Sequence, residues 1–163
     1  MRILLATLAV AAAACRPARE QHASSTDSAR FAAVQERGRA VMGVDQYTSA
    51  HVFEDLPDGG RIVLDRADAA DSAGAATIRR HMREVADDFR RGDFTKPFRV
   101  HAQQVPGTDV MAARRDAITY TVADRPRGAE VDIHTTDSAA VAAVHAFLAF
   151  QRSDHHAAGH EMH

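Results

Sequence analysis

Two turn sequences flanked by alternating apolar residues constrain the fold of this chain more than any other feature. The first, Asp58-Gly59-Gly60, lies between residues 51–56 and 61–65. Glycine tolerates the positive φ that tight hairpin turns require, so this stretch predicts a β-hairpin. A second turn at residues 124–128 predicts another hairpin. The alternating apolar residues around the second turn are Ile118, Tyr120, Val122, Val131 and Ile133.

Each hairpin is followed by a sequence typical of a capped amphipathic helix. Asp71 and Ser72 can cap a helix that runs to about Phe89, and Asp137 can cap a final helix that runs to about Arg152. Apolar residues in both stretches recur every three or four positions, as one buried helical face requires. These residues are Ile78, Met82, Val85 and Phe89 in the first helix, and Val141, Val144 and Leu148 in the second.

Two further elements complete the predicted order. A first helix is expected from near Asp27 to about Gly43, where glycine can end it. Residues 97–104 alternate between apolar and polar side chains and predict a strand. The sequence therefore predicts an α+β fold, in which an antiparallel sheet is built from two hairpin-plus-helix units with helices packed on one face, plus an N-terminal helix.

The repeated hairpin-plus-helix pattern suggests an internal duplication. In the alignment that the glycines favour, residues 60–64 correspond to residues 128–132. Each unit then has a histidine in the middle of its helix, His81 in the first and His145 in the second. The match lies in the pattern rather than in residue identity, so the duplication stays a hypothesis.

The amino terminus predicts export and lipidation. Residues 1–15 contain one charged residue followed by an apolar run that is far too short to span a bilayer, and this is typical of a signal peptide. The sequence Ala12-Ala13-Ala14-Cys15 resembles the lipobox of bacterial lipoproteins, although Ala12 stands where leucine is more usual. This resemblance implies that Cys15 becomes lipidated and holds the protein on a membrane. The alternative is ordinary secretion with Cys15 as a free residue.

The predicted organisation follows from that signal. We expect a flexible tether at residues 16–26, one α+β domain at residues 27–152 and a flexible tail at residues 153–163. Arg16 is not the aspartate associated with inner-membrane retention, so the expected location is the cell envelope, on an outer membrane facing the periplasm if the organism has one. The formal net charge of −2 provides no basic surface, and nucleic acid is not expected as a partner.

The tail is the strongest compositional signal for a metal. Four of the ten histidines lie in the last nine residues. Imidazole and thioether together suit copper, since thioether is a soft ligand for Cu(I) and imidazole binds Cu(II) and zinc. The alternative is a solvated tail with no role. The candidate ligands in the tail are His155, His156, His160, Met162 and His163.

Four histidines of the domain are candidate ligands of the same metal. His51 and His101 are predicted on strands, and His81 and His145 on helices. If the two units packed symmetrically, these side chains could meet in one groove with an open coordination position. A histidine on an apolar face is more often a hydrogen-bonded core residue, so that interpretation stays open beside the metal site.

Sequence patterns of known catalytic sites are absent. His160-Glu161-Met162-His163 has the wrong spacing for a zinc-protease helix, and the chain has no nucleophile elbow, phosphate loop or dinucleotide fingerprint. After Cys15 no cysteine remains for a disulfide or a thiolate metal site. A binding protein is therefore favoured over an enzyme.

Several segments resemble a family of small exported bacterial proteins of unassigned function. The resemblance implies export and a shared fold but no reaction. Relatives are sometimes labelled aspartate carbamoyltransferase, which implies a much longer enzyme with a Ser-Thr-Arg-Thr phosphate loop; this chain has neither. The matching segments are Met42-Gly43-Val44-Asp45-Gln46, His51-Val52-Phe53, Asp58-Gly59-Gly60 and Phe147-Leu148-Ala149-Phe150-Gln151 with Asp154-His155.

The leading hypothesis is a lipid-anchored protein that captures or buffers a transition metal, copper or zinc, with copper favoured. The alternative is a non-catalytic envelope module that binds a small ligand or a protein partner, and a metal-dependent hydrolase is a third possibility. Converging imidazoles would favour the metal. A dry groove lined by Phe53, Phe98 and Phe147 would favour an apolar ligand or partner.

Overall fold

The computed structural model describes residues 18–43 and 45–157. The predicted lipidation site Cys15 and the tail residues His160, Met162 and His163 lie outside the described residues. Within the described part, no helix is long and apolar enough to cross a membrane.

A four-stranded antiparallel sheet forms the centre of the fold, with the strand order β1-β2-β4-β3. Each hairpin supplies two neighbours, and the hairpins join where Ile62 of β2 pairs with Val131 of β4. Both predicted hairpins are thus confirmed. The strands are β1 (Ser49–Leu56), β2 (Gly59–Arg66), β3 (Ile118–Arg125) and β4 (Gly128–Thr135).

Within residues 18–43 and 45–157, five α-helices accompany the sheet, and the predicted α+β class is confirmed. The two helices that follow the hairpins begin at the predicted caps: the Asp71 carboxylate accepts a hydrogen bond from Gly74 N at 2.8 Å, and Asp137 accepts from Ala139 N at 2.9 Å. The helices are α1 (Ala18–Met42), α2 (Ser72–Arg90), α3 (Thr95–His101), α4 (Thr108–Ala113) and α5 (Ser138–His155), with 3-10 turns at Gln46–Thr48 and Arg115–Ala117.

The predicted strand at residues 97–104 is wrong. Helix α3 occupies this stretch, and the Asp93 carboxylate accepts the Thr95 backbone N–H at 2.9 Å beside its first turn. Pro97 lies within that first turn, where a missing backbone N–H breaks no helical hydrogen bond. Ala102, in the left-handed conformation with φ of 53°, ends the helix. The apparent alternation therefore belongs to a short helix.

Two predicted boundaries also shift. Helix α1 begins at Ala18, within the stretch predicted as a tether, and α5 continues three residues past Arg152 to His155. His156 is in the left-handed conformation and caps the end of α5. The first residues of the predicted tail are therefore part of the last helix.

The hydrophobic core lies between one face of the sheet and the helices α2 and α5. The alternate residues of the strands that point to this face, such as Leu64 and Ile133, are almost completely buried. Ile78 of α2 and Leu148 of α5 pack against them. A cleft at one side of this core, near the β1 edge, is lined by histidines.

Candidate binding site

The cleft is a small cavity of about 80 Å³ whose walls come from α1, β1, β2, α2, α3 and α5. Aromatic and aliphatic side chains, among them Phe53, Phe89 and Phe147, form most of the wall. We call this cavity the histidine pocket because it is lined by several histidine and methionine side chains, which are types that can bind a metal ion. These side chains are His51, His81, His101, His155, Met42 and Met82.

The secondary structure explains why these side chains meet. His51 lies on β1 two positions before Phe53, so both side chains point to the core face of the sheet. His81 and Met82 are neighbours in α2 and are both buried. His101 is the last residue of α3, and His155 is the last residue of α5.

Three of the rings form a stacked cluster. The His51 and His155 rings are 5.1 Å apart between centroids and nearly parallel, and Phe53 lies 5.9 Å from each of them. His101 meets His155 edge to face with centroids 5.0 Å apart. Imidazole rings in such contact favour the uncharged form, since two imidazolium ions at this distance would repel each other.

Burial keeps three of the pocket histidines uncharged at neutral pH. Removal from water lowers the pKa of His51 to about 4, and the nearby His81 adds to the effect. Burial also lowers the pKa of His81 to about 4, assisted by the positive charge of Lys96. The pKa of His155 falls to about 2, first through burial and then through His51 and His101. Neutral imidazole is the form that binds a metal ion.

His101 is held by a network of buried polar side chains. Its Nδ1 lies 2.5 Å from Asp154 Oδ2, and its Nε2 lies 3.0 Å from Gln151 Oε1. The His101 and Asp154 side chains are only 1% and 6% exposed. Arg30 of α1 reaches the other oxygen of Asp154 at 2.6 Å, which compensates the buried carboxylate.

One positive charge lies at the wall of the pocket. Lys96 lines the pocket and forms an ion pair with Asp88. Asp88 also pairs with Arg91. The ammonium group is therefore held by a structural ion pair.

The other predicted ligands lie elsewhere. His145 Nε2 is 2.9 Å from the carbonyl oxygen of Leu56, and this residue does not line the pocket. His156 stacks on Phe31 of α1 with ring centroids 4.3 Å apart. Of the four domain histidines, the structure thus brings together His51, His81 and His101, and it adds His155 from the predicted tail.

The expected symmetry between His81 and His145 is not observed. The structure aligns Pro57 of the first hairpin turn with Pro126 of the second, because β2 begins at Gly59 and β4 begins at Gly128. This register differs by one residue from the predicted alignment of residues 60–64 with residues 128–132. The two histidines consequently have different surroundings.

Among the described residues, no group of three His, Cys, Asp or Glu side chains is arranged so that it could hold a metal ion. The four imidazoles share the pocket without a common centre. A metal bound by this pocket would therefore need ring rotations or the thioethers of Met42 and Met82, which also line it.

Sequence reasoning missed four residues of the site. Met42, Met82, Gln151 and Asp154 are not among the predicted site residues, and His155 is predicted in a flexible segment. The spacing along α5 could have found Gln151 and His155, because Phe147, Gln151 and His155 recur every four residues and continue the buried face.

Comparison of the chain with protein-family models, with curated proteins and with solved structures gives no match. The interpretation of the pocket therefore depends on its own chemistry.

Proposed function

We propose that this protein is an exported, lipid-anchored binding protein that captures a transition metal in the histidine pocket, with copper as Cu(I) the favoured ion. The observation that carries the proposal is that four imidazoles and two thioethers line a single cavity of about 80 Å³. Six potential nitrogen and sulfur donors around so small a space are unusual for a packed core, which normally contains few polar groups.

The uncharged state of three pocket histidines supports a cation as the ligand. His51, His81 and His155 have lowered pKa values, so their imidazoles are uncharged at neutral pH and need not lose a proton before a metal binds. A neutral donor set can accept a monovalent cation without competition from bound protons. Lys96 carries the one formal positive charge among the lining side chains, and it forms an ion pair with Asp88, which Asp88 shares with Arg91.

The size of the cavity supports an ion over an organic molecule. Pockets for drug-sized ligands typically measure about 300 to 1,000 Å³, several times the space found here. A metal ion with one or two exogenous ligands would fit without displacement of the sheet or helices.

The ligand types favour copper over zinc. Structural zinc sites almost always use four Cys, His, Asp or Glu ligands in tetrahedral geometry. The described residues offer no such group of even three. Cu(I) accepts fewer ligands and binds thioether sulfur, so a pair of imidazoles with Met82 or Met42 would suffice.

A second function has one observation in its favour. The stacked rings of His51, Phe53 and His155 form an apolar aromatic wall, which is the kind of surface that binds a small flat ligand. Of the three phenylalanines expected in an apolar groove, Phe53 and Phe147 line the pocket and Phe98 is half exposed outside it. A non-catalytic module for a small apolar ligand is therefore the alternative.

Isosteric methionine variants test the metal proposal. Replacement of Met42 and Met82 by leucine keeps side-chain volume and should preserve the fold, because such exchanges usually cost less than about 1.5 kcal/mol. We expect the double variant to bind Cu(I) at least about tenfold more weakly in competition with a chromophoric chelator, a loss of about 1.4 kcal/mol. Met111→Leu is the matched control, since Met111 is fully buried but does not line the pocket.

Two outcomes of the same titration would contradict the proposed Cu(I) site. Equal Cu(I) affinity in the wild type, the double variant and the control would exclude the pocket thioethers as ligands. Absence of Cu(I) binding by the wild type would favour the apolar-ligand alternative.

The membrane anchor is a separate part of the proposal and rests on the lipobox resemblance at Cys15. We expect the wild-type protein to incorporate radiolabelled fatty acid in a bacterial host and to fractionate with the membrane. Cys15→Ser should abolish the label and release the protein. Label retained in that variant would contradict lipidation at Cys15.

A further inference from the structure

The two outer strands of the sheet determine how this molecule meets a second copy of itself. In the order β1-β2-β4-β3, β1 and β3 are the edges, and among the described residues each pairs with one strand only. The free side of an edge strand presents a row of N–H and C=O groups to which a strand of another molecule can bond. Whatever covers that row therefore decides whether the sheet can extend across two molecules.

The register of the hairpins shows which residues direct their backbone groups to the free side. Leu56 pairs with Gly59, and Arg125 pairs with Gly128, across two-residue turns. The residues that close such a turn bond to each other, and in an antiparallel ladder bonded residues alternate with residues whose N–H and C=O point outward. The outward positions are therefore residues 49, 51, 53 and 55 of β1 and residues 118, 120, 122 and 124 of β3.

Arg152 of α5 covers the outward side of β1. Its Nη1 donates to the carbonyl oxygen of Phe53, one of the outward groups, at 3.0 Å. The same guanidinium group binds both carboxylate oxygens of Asp55, at 3.0 and 2.8 Å. The Arg152 side chain is only 12% exposed, so it lies against the strand rather than in water. A second strand could not bond to Phe53 without displacing it.

Arginines of α2 cover the outward side of β3 in the same way. Arg90 Nη2 donates to the carbonyl oxygen of Tyr120, which is also an outward group. Arg83 Nη2 binds the carboxylate of Asp124 at 2.6 Å. Arg83 and Arg90 are seven residues apart, which is about two helical turns, so both lie on one side of α2. This edge is therefore lined by guanidinium groups.

The two edges have the same construction although they come from different parts of the chain. Asp55 lies four residues before Gly59, and Asp124 lies four residues before Gly128, so the two aspartates occupy equivalent positions in their hairpins. Each binds an arginine from the helix that follows the other hairpin, α5 for Asp55 and α2 for Asp124. The same protection is thus built twice, once at each edge.

We propose that Arg152 and Arg90 are edge guards, which occupy the outward carbonyls of Phe53 and Tyr120 and so prevent the sheet from pairing with the edge of a second copy of this chain. A charged side chain bonded within the row of outward groups interrupts the pairing that an added strand needs. This inference is independent of metal binding, because neither arginine lines the histidine pocket.

Methionine variants of the two guards test the proposal. Methionine removes the donors and the charge, and its helix propensity is close to that of arginine. Analytical ultracentrifugation of residues 16–163, which include every described residue, measures the oligomeric state. We expect the wild type to remain a monomer at every soluble concentration. Arg152→Met and Arg90→Met each open one edge and should shift the protein to a dimer, whereas the double variant should form larger assemblies.

The matched control removes two positive charges away from the edges. Arg39 and Arg91 are exposed, and each pairs with a carboxylate three residues earlier in the sequence. We expect Arg39→Met combined with Arg91→Met to remain monomeric. Self-association of this control to the same extent would attribute the effect to lost charge and overturn the proposal.

Hydrogen exchange identifies where the copies meet. In the dimer of Arg152→Met we expect new protection of amides within residues 49–55, and in the dimer of Arg90→Met within residues 118–124. Circular dichroism first establishes that each variant is folded. A folded variant that stays monomeric, even if it is less stable, shows that its arginine only fastens a helix to the sheet and overturns the guard role. If neither variant folds, the wild type still decides, since self-association of the wild type with protected edge amides overturns both guards.

Discussion

Burial of imidazole has an energetic consequence that reaches beyond ligand binding. A histidine in the unfolded chain has a pKa near 6.5, whereas His51 and His81 in the folded protein have pKa values of about 4. Between these two values the unfolded chain binds protons that the folded protein does not bind. Unfolding in this range takes up protons, so the free energy of unfolding decreases as the pH falls.

This linkage predicts the pH dependence of stability. We expect the free energy of unfolding to be nearly constant above about pH 7 and to decrease as the pH falls from about 6.5 to 4. Urea unfolding at a series of pH values measures the slope, which corresponds to uptake of up to three protons when His155 is included.

A flat stability profile between pH 7 and pH 4.5 would contradict this account. It would mean that the pocket histidines titrate alike in the folded and unfolded protein, and that solvent reaches them freely.

At the scale of single elements, the sequence predicts those parts that local chemistry determines. The hairpins follow from their glycine turns, and α2 begins at the predicted cap Asp71 because its carboxylate bonds to Gly74 N. Apolar residues every three or four positions define the buried faces of α2 and α5. These signals need no knowledge of distant contacts.

The mistaken elements are those that tertiary contacts determine. Residues 97–104 are too few to distinguish a strand from a helix by periodicity. The helix α3 forms there because it buries Val100 and His101 against other helices. The end of α5 was placed too early because its last residues are polar. Asp154 stays helical since Arg30 and His101 each contact one of its carboxylate oxygens within the fold.

The candidate site was predictable in its chemistry but only partly in its geometry. The count of histidines and their mixture with methionine indicated a metal. Convergence of His51, His81 and His101 depends on how β1, α2 and α3 pack, and sequence spacing holds no information about that packing. His145 illustrates the limit, because its helix position resembles that of His81 although its ring bonds to the Leu56 carbonyl.

At the scale of the whole molecule, the sheet and its helices hold donors from five separate elements around one cavity. Met42 closes it from α1, His51 from β1, His81 from α2, His101 from α3 and His155 from α5. Such a site forms only when the domain folds, which distinguishes it from a histidine-rich tail that can bind metal in any conformation. We therefore propose the folded pocket, and not the tail, as the Cu(I) site.

A comparison of two chain lengths distinguishes a site in the pocket from a site in the tail. Cu(I) affinity is measured by chelator competition for residues 16–163 and for residues 16–157, a version that keeps His155 but removes His160, Met162 and His163. The account predicts equal affinity and a stoichiometry of one high-affinity ion in both. Loss of Cu(I) binding on removal of residues 158–163 would place the site in the tail and contradict a metal site in the histidine pocket.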